Sequence, residues 1–349
     1  MDNSTFSELL EMVTPFIFKR NTHLREAIPP SQRLSCTLRF LATGANFEEL
    51  KFITAISPQS IGRIVVETCE AITLVLKNNI RIPASEDEWK ATSEEFEKNW
   101  NFNHCLGAIV GKHIDITKLQ ESGSYYFNYK NNFSIVLMAV CNANYEFLVV
   151  DIGSNGRVSD GGVFSNTLFC EHLQENKLKL PKLDYLPGIN CKIPYIFMAD
   201  DAFPLSDNLM KPYSQRNLIK EKRILNYRLS RARRVIENSF GILLSRFRIL
   251  LKTINLSPEK ATIIVRACCH QHNYLQRKKM DIFLQESFDT ENILTGEVEP
   301  GSWRSENRNL TELQHAKSRN SHSTAKEIRD QFRHYFNTSG AVHWQDNMI

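Results

Sequence analysis

None of the eight cysteines belongs to a CxxC pair, and the one close pair, Cys268-Cys269, is adjacent within an apolar, helical stretch. Zinc ligation and a disulfide framework are therefore not expected. Reduced, buried thiols of a cytosolic or nuclear protein are the better reading. No apolar run approaches the roughly 18 residues that a membrane span needs. The opening MDNSTFSELLEMV lacks the basic-then-apolar layout of a secretory signal. Charge of one sign is not in large excess either: 43 Lys and Arg stand against 39 Asp and Glu, a net +4 that says little about partners by itself. Nothing resembles a strong nuclear-import signal, since Arg277-Lys278-Lys279 is too short a basic run.

What is present fits a soluble globular protein of one large or two moderate domains. The chain has 349 residues, 42% hydrophobic and 23% charged,. Charge distribution says more than the total. From Lys211 to Lys252 there are twelve Lys or Arg against two acids, Glu221 and Glu237. Such a stretch is either a solvated helix face or an electrostatic footprint for phosphates.

Residues 1–100 read as helical. Phe6, Leu9, Leu10 and Val13 recur at helical spacing, as do Leu34, Leu38 and Leu41 before Gly44 ends that helix. Phe47, Leu50 and Ile53 mark a short helix. Ser57-Pro58 then caps a longer one that carries Ile61, Ile64, Val65, Cys69 and Ile72 on one face.

After Trp100 the pattern changes. Cys105–Ile109 reads as a strand. Phe133–Cys141 and Tyr145–Asp151, separated by Asn142-Ala143-Asn144, read as an antiparallel hairpin. A helix is expected over Gly162–Leu173, a buried strand over Tyr195–Ala199, a long helix over Leu225–Leu250 and another over Pro258–Leu275. From Gln276 apolar residues become sparse, so 276–349 reads as a polar, flexible tail with at most short helices. The whole is an α/β arrangement: helical 1–100, an α/β domain over 101–275, then the tail.

Two-metal phosphoryl transfer needs carboxylate oxygens converging from strand ends and a helix on ions roughly 3.5–4 Å apart. Asp200, just after the Tyr195–Ala199 strand, and Glu237, in the long basic helix, suit two of those places. Acids at strand ends are usually just solvated, so composition alone does not establish this.

At these residues the chain resembles the DDE domain of PIF/Harbinger transposases and the host nucleases derived from them. The blocks are GAIVGKHI (107–114), YFNYK (126–130) leading into FSIVLMAV, DIGSNGRVSDGGVF (151–164), MADDAFPLSDNLMKPY (198–213) and NYRLSRARRVIENSFGILLSRFRIL (226–250). Their order and spacing match over roughly residues 100–275, which is far more specific than any short motif.

The resemblance implies an RNase H-like DDE nuclease core behind an all-helical N-terminal region with a helix-turn-helix-like segment. It implies a nuclear protein, DNA as partner, and a Mg²⁺ (or Mn²⁺) two-ion site. A Myb-like accessory protein and a homo-oligomer are compatible with it. By resemblance Asp200 and Glu237 are the second and third catalytic, metal-binding carboxylates. Asp160 is either a supporting metal ligand or a cap on the following helix.

The departure is at Val110, where the family pattern has the first Asp. Asp115 lies an odd number of residues on, so along a strand it points to the opposite face and does not substitute. A valine offers no oxygen to a metal. Weak metal binding and little or no strand cleavage are expected, with a DNA- or protein-binding scaffold as the alternative.

For DNA, Asn46–Ile72 resembles a helix-turn-helix whose second helix starts at Pro58. That nominates Gln59, Ser60 and Arg63, although an ordinary helical hairpin explains the segment too. In the basic helix, Arg228, Arg231, Arg233, Arg234, Arg246 and Arg248 exceed what Glu237 can neutralise, which nominates Arg231 and Arg234 as phosphate contacts. Lys112 and His113 are candidates to touch phosphate, but a satisfied strand histidine is the commoner case; for Asn128-Tyr129-Lys130 a nucleic-acid role and a plain turn before the hairpin are equally good readings. His270 and His272 are expected in the core.

Overall fold

The computed structural model describes residues 1–23, 25–120, 122–157, 160–214, 218–278, 289–291, 297–299, 301, 310–313 and 322–349. Helices α1 (Asn3–Ile17), α2 (Pro30–Thr43), α3 (Phe47–Thr54), α4 (Pro58–Val75) and α5 (Glu86–Trp100) lead into a mixed α/β region. Side chains of Asp2, Asn46, Ser57 and Ser85 accept the free N–H groups of four of these first turns,. Asn46 and Glu49 close a reciprocal capping box,. Gly44 ends α2 at φ 61°, a left-handed conformation that suits glycine,.

The central sheet is built from β1 (Cys105–Asp115), β2 (Ser134–Cys141) and β3 (Phe147–Asn155), then β6 (Ile196–Met198) and β7 (Leu209–Met210). The short β4 (Asp184–Tyr185) and β5 (Lys192–Ile193) pair separately. The order across the sheet is β3-β2-β1-β6-β7. β2 runs antiparallel to both of its neighbours, β1 and β3, while β6 and β7 run parallel to β1. β1 is buried from Cys105 through Ile114, as a central strand covered on both faces must be,.

The strand also runs on to Asp115 instead of stopping at Ile109. Polar Lys112 and His113 hide this in the sequence. They remain in the strand because β2 pairs with β1 all the way from Ala108 to Asp115.

Strand alternation separates two cores. Ala108, Val110 and Ile114 join one that holds Ala139, Met198 and the buried faces of α4, α8 (Lys220–Arg246) and α9 (Pro258–Arg277). Ile109, Val136, Phe197 and Ala199 join the other, with Trp89 and Phe203. The first core is continuous from Leu9 and Val13 of α1 to Leu225 and Val235 of α8. The N-terminal helices therefore share their core with the sheet, and residues 1–100 are not a separately packed unit.

Two further expectations change. The helix over Gly162–Leu173 is two helices, α6 (Asp160–Ser165) and α7 (Leu168–Gln174). Thr167 breaks them by capping Cys170 N–H at 3.1 Å. The C-terminal region is not all flexible tail. α10 (Ser323–Asn337) buries Ala325, Phe332, Tyr335 and Phe336 and packs on α8, and Trp344 beyond it is also buried. Phe102, Phe332 and Phe336 form an aromatic cluster with centroids 4.7–6.3 Å apart,.

The edge of β1 opposite β2 is shared by three segments. β6 covers Cys105–Ala108. Residues 310–313 return to meet Lys112 and His113: Lys112 bridges Glu312, and His113 N–H donates to Thr311 O at 2.8 Å. Ile254 then takes the last stretch, through Ile254 N–H to Asp115 O at 2.9 Å and Thr117 N–H to Ile254 O at 3.1 Å.

Candidate functional site

Parallel pairing sets Ala108 opposite Met198. Carried two residues on, that register puts Val110 level with Asp200, just past the end of β6. Val110 is 2% exposed and faces the core that contains Val235 and Ile236 of α8. Met198, two residues before Asp200, belongs to the same core. Glu237 is half-buried on the helix that covers this face, and Arg233 pairs with it at 3.0 Å. That is the helical i,i+4 pairing. Asp115 has the opposite strand parity from Val110, and burial raises its carboxyl pKa.

The Asp200-Asp201 turn is held locally. Asp200 Oδ1 accepts from Ala202 N–H at 2.9 Å, and Lys211 Nζ donates to Asp201 O at 3.1 Å. Burial lowers the Lys211 pKa, while the charges of Asp201 and Asp200 act against that shift. Lys211 is a cation that sequence reasoning did not attach to this turn. Its place in the MADDAFPLSDNLMKPY block was the available signal.

Asp160 opens α6, whose Val163 and Phe164 pack into the second core, on the other face of the sheet. Its side chain lies outside the described residues.

These residues do not fit a two-ion centre. Among the described residues no group of three or more His, Cys, Asp or Glu side chains converges as metal ligands would. At the strand position level with Asp200 a buried isopropyl group stands where an oxygen is needed. A divalent ion there would exchange water ligands for hydrocarbon, which is strongly unfavourable.

The basic helix divides. Arg231 is 1% exposed; its Nη1 donates to Trp100 O at 2.6 Å and to Asn101 Oδ1 at 3.1 Å, and its guanidinium lies 4.7 Å from the Trp344 ring. Arg228 is equally buried, donating to Asn101 O, Gly340 O and Gln345 Oε1, with Phe336 4.5 Å away. Arg246 donates to His272 O at 3.2 Å and Gln276 Oε1 at 3.3 Å, and burial lowers its pKa to about 10. The nomination of Arg231 as a phosphate contact is therefore corrected: its Nη1 donates to two protein oxygens and its side chain is enclosed. Arg234 is half-buried near Glu237 along the helix, and Arg248 is exposed.

Among the N-terminal helices, α3 and α4 pack against each other as the expected pair. Gln59 and Arg63 are exposed and Ser60 is half-buried, all in the first turns of α4. A cleft of about 480 Å³ opens there, lined by Arg20, Arg25, Arg33, Ser60 and Arg63 among others. Glu67 pairs with both Arg33 and Lys19 and offsets one of their two charges. Arg20 and Arg25, exposed in the link between α1 and α2, were missed because they lie outside the helical pattern.

His270 and His272 are core residues as expected. Each directs a ring nitrogen at a backbone carbonyl, of Leu76 and Tyr145, at 3.1 and 2.8 Å. No helix among the described residues is long and apolar enough to cross a membrane.

Comparison with known proteins accounts for this arrangement. Residues 109–273 match the family described as DDE superfamily endonuclease. That stretch, a little under half of the chain, is similar to this family. The matched stretch starts in β1, one residue before Val110, and ends within α9. The Homo sapiens protein HARBI1, which bears a nuclease name, is 27% identical over 267 residues, 76% of this chain and 72% of that protein. Its Xenopus laevis counterpart is 26% identical over 266 residues, 75% and 72% of the two chains. The ALP1-like protein of Arabidopsis thaliana is 24% identical over 253 residues, 70% and 60%. No solved structure gives a significant match.

Proposed function

We infer that this protein is a Harbinger-type, transposase-derived DNA-binding protein on an RNase H-like DDE fold, in which Val110 has weakened metal-dependent phosphodiester cleavage. The β3-β2-β1-β6-β7 order, with β2 antiparallel to both β1 and β3, supports the RNase H-like reading. Asp200 and Glu237 are its remaining catalytic-type carboxylates, and Mg²⁺ or Mn²⁺ is the ion of the ancestral site. Gln59, Ser60 and Arg63, with Arg20 and Arg25 beside them, form the main DNA face, and Arg234 is a second contact. Location in the nucleus, a Myb-like accessory partner and a homo-oligomer belong to the same reading.

The observation that carries the proposal is the buried Val110, two residues beyond the Ala108–Met198 pair, as Asp200 is just past the neighbouring strand. The test is cleavage of plasmid and oligonucleotide DNA with Mg²⁺ or Mn²⁺ by the unaltered chain and by Val110→Asp. The unaltered chain is expected to give no cleavage above a protein-free control, and Val110→Asp to bind metal more tightly and cleave. Robust cleavage by the unaltered chain overturns the proposal. Because Val110 is buried, metal titration of the unaltered chain by calorimetry provides a second readout, expected to be weak. A scaffold that binds DNA or protein without any cleavage is the second reading. The same valine favours it, and an inert Val110→Asp variant that still folds would decide for it.

A further inference from the structure

Lys112 sits two residues beyond Val110 and shares its strand parity. Its side chain is 9% exposed, and the ion partner of its ammonium is Glu312 Oε1 at 3.1 Å, from a segment 200 residues later. The same Glu312 accepts a hydrogen bond on its backbone carbonyl from Tyr129 Oη at 3.0 Å. Tyr129 is exposed on the β1–β2 connection beside Lys130 and stands 6.1 Å from the His113 ring.

The segment behaves as an added strand. Glu312 bridges Lys112 antiparallel, and Thr311 O accepts from His113 N–H. Strand parity agrees on both faces: Leu310 packs into the core of Val110, whereas Leu313, fully buried, packs into the core of Ile109. Its position is the edge of β1 that β6 leaves uncovered, next to the end of the sheet where Asp200 stands.

Lys112, exposed Tyr129 and Lys130, 5.8 Å from the Tyr129 ring, supply a cation, an aromatic ring and a second lysine, the usual elements for gripping a nucleic-acid strand, the cation on a phosphate and the ring on a base,. Here both Lys112 and Tyr129 are engaged by one residue, and its carboxylate offers Lys112 the negative charge and acceptor oxygen that a phosphate would,.

We propose that Lys112 and Tyr129 form a nucleic-acid subsite, for one phosphate and one unpaired base, and that Glu312 of the 310–313 segment occupies it as an internal phosphate mimic that DNA must displace. The inference rests on the DNA-binding reading above. Its origin in the structure is one residue closing two potential contacts at a sheet edge.

The experiment uses the full chain and fluorescent single-stranded and duplex oligonucleotides, with affinity read by anisotropy across a salt series. Glu312→Gln keeps the shape and removes the charge. It is expected to tighten single-strand binding roughly 3- to 10-fold and to steepen the salt dependence by close to the slope of about 0.7 that one phosphate contact gives on a single strand. Lys112→Met, added to Glu312→Gln, is expected to abolish both gains. Saturating single-stranded DNA is expected to speed hydrogen exchange at the His113 amide, which the segment protects. If the unaltered chain binds DNA but Glu312→Gln neither tightens binding nor alters the slope, the subsite is wrong while the DNA reading stands. If neither form binds any oligonucleotide at low salt, both fall.

Discussion

A guanidinium enclosed by protein keeps its charge, because no ordinary environment removes its proton, so each of its donors needs an oxygen in place of water. Arg231 has Trp100 O and Asn101 Oδ1, with an indole against its face. Replacing it with alanine strands those acceptors and is expected to lower stability by about 2–3 kcal/mol in a urea melt, with DNA affinity unchanged. Arg231→Lys should recover little of this, since an ammonium cannot span two acceptors and also stack on Trp344. A loss of DNA affinity with normal stability would restore the phosphate role. Read from the sequence, the arginine run was indistinguishable from a phosphate-facing surface. The acceptors that absorb Arg228 and Arg231 lie more than 100 positions away, at Asn101, Gly340 and Gln345, and periodicity carries no information at that range. Val110 drew attention in the sequence because the residues on both sides of it resemble a long block from which it alone departs.

Helices with clear caps were read nearly to the residue. α3 and the start of α4 coincide with expectation because Asn46, Ser57 and Pro58 act locally. α6 and α7 were merged, since only the Thr167 side chain, turning back onto Cys170, interrupts a continuous apolar pattern. α10 was overlooked although Ala325, Ile328, Phe332 and Phe336 recur at helical spacing. Sparse apolar content across 276–349 outweighed that local period. The helix packs its aromatic face against α8, so Phe336→Ala is expected to cost about 3–5 kcal/mol through lost burial and the cavity left behind. A denaturation midpoint within error of the unaltered chain would mean that α10 is not docked in solution.

At the scale of the molecule, burial suppresses the charge of several histidines together. His104 and His113 are lowered to about 4 and His272 to about 3, in each case chiefly by burial. Their folded pKa values lie below the unfolded value of about 6.5. The unfolded chain therefore takes up more protons below that pH, and the stability that depends on neutral rings is complete above it and lost as pH falls toward 4. Buried Asp115 and Asp151, with raised carboxyl pKa values, act in the opposite sense. The urea midpoint should fall between pH 7.5 and pH 5, and His113→Asn should reduce that slope. A midpoint flat across this window would show that these rings are protonated without penalty. The placement of Asp200 just beyond a buried strand was read from the sequence, whereas the common core of the N-terminal helices and the sheet was not, because contacts between α4 and α9 leave no periodic trace. The division of labour along the outer edge of β1 also bears on synthesis. That edge is completed by β6, then Ile254, and last by 310–313, so a ribosome must make nearly the whole polypeptide before the middle of the sheet is sealed. Until then β1 presents bare amides and carbonyls to any passing strand. Products that stop before Leu310 should therefore be the ones that associate and demand chaperones.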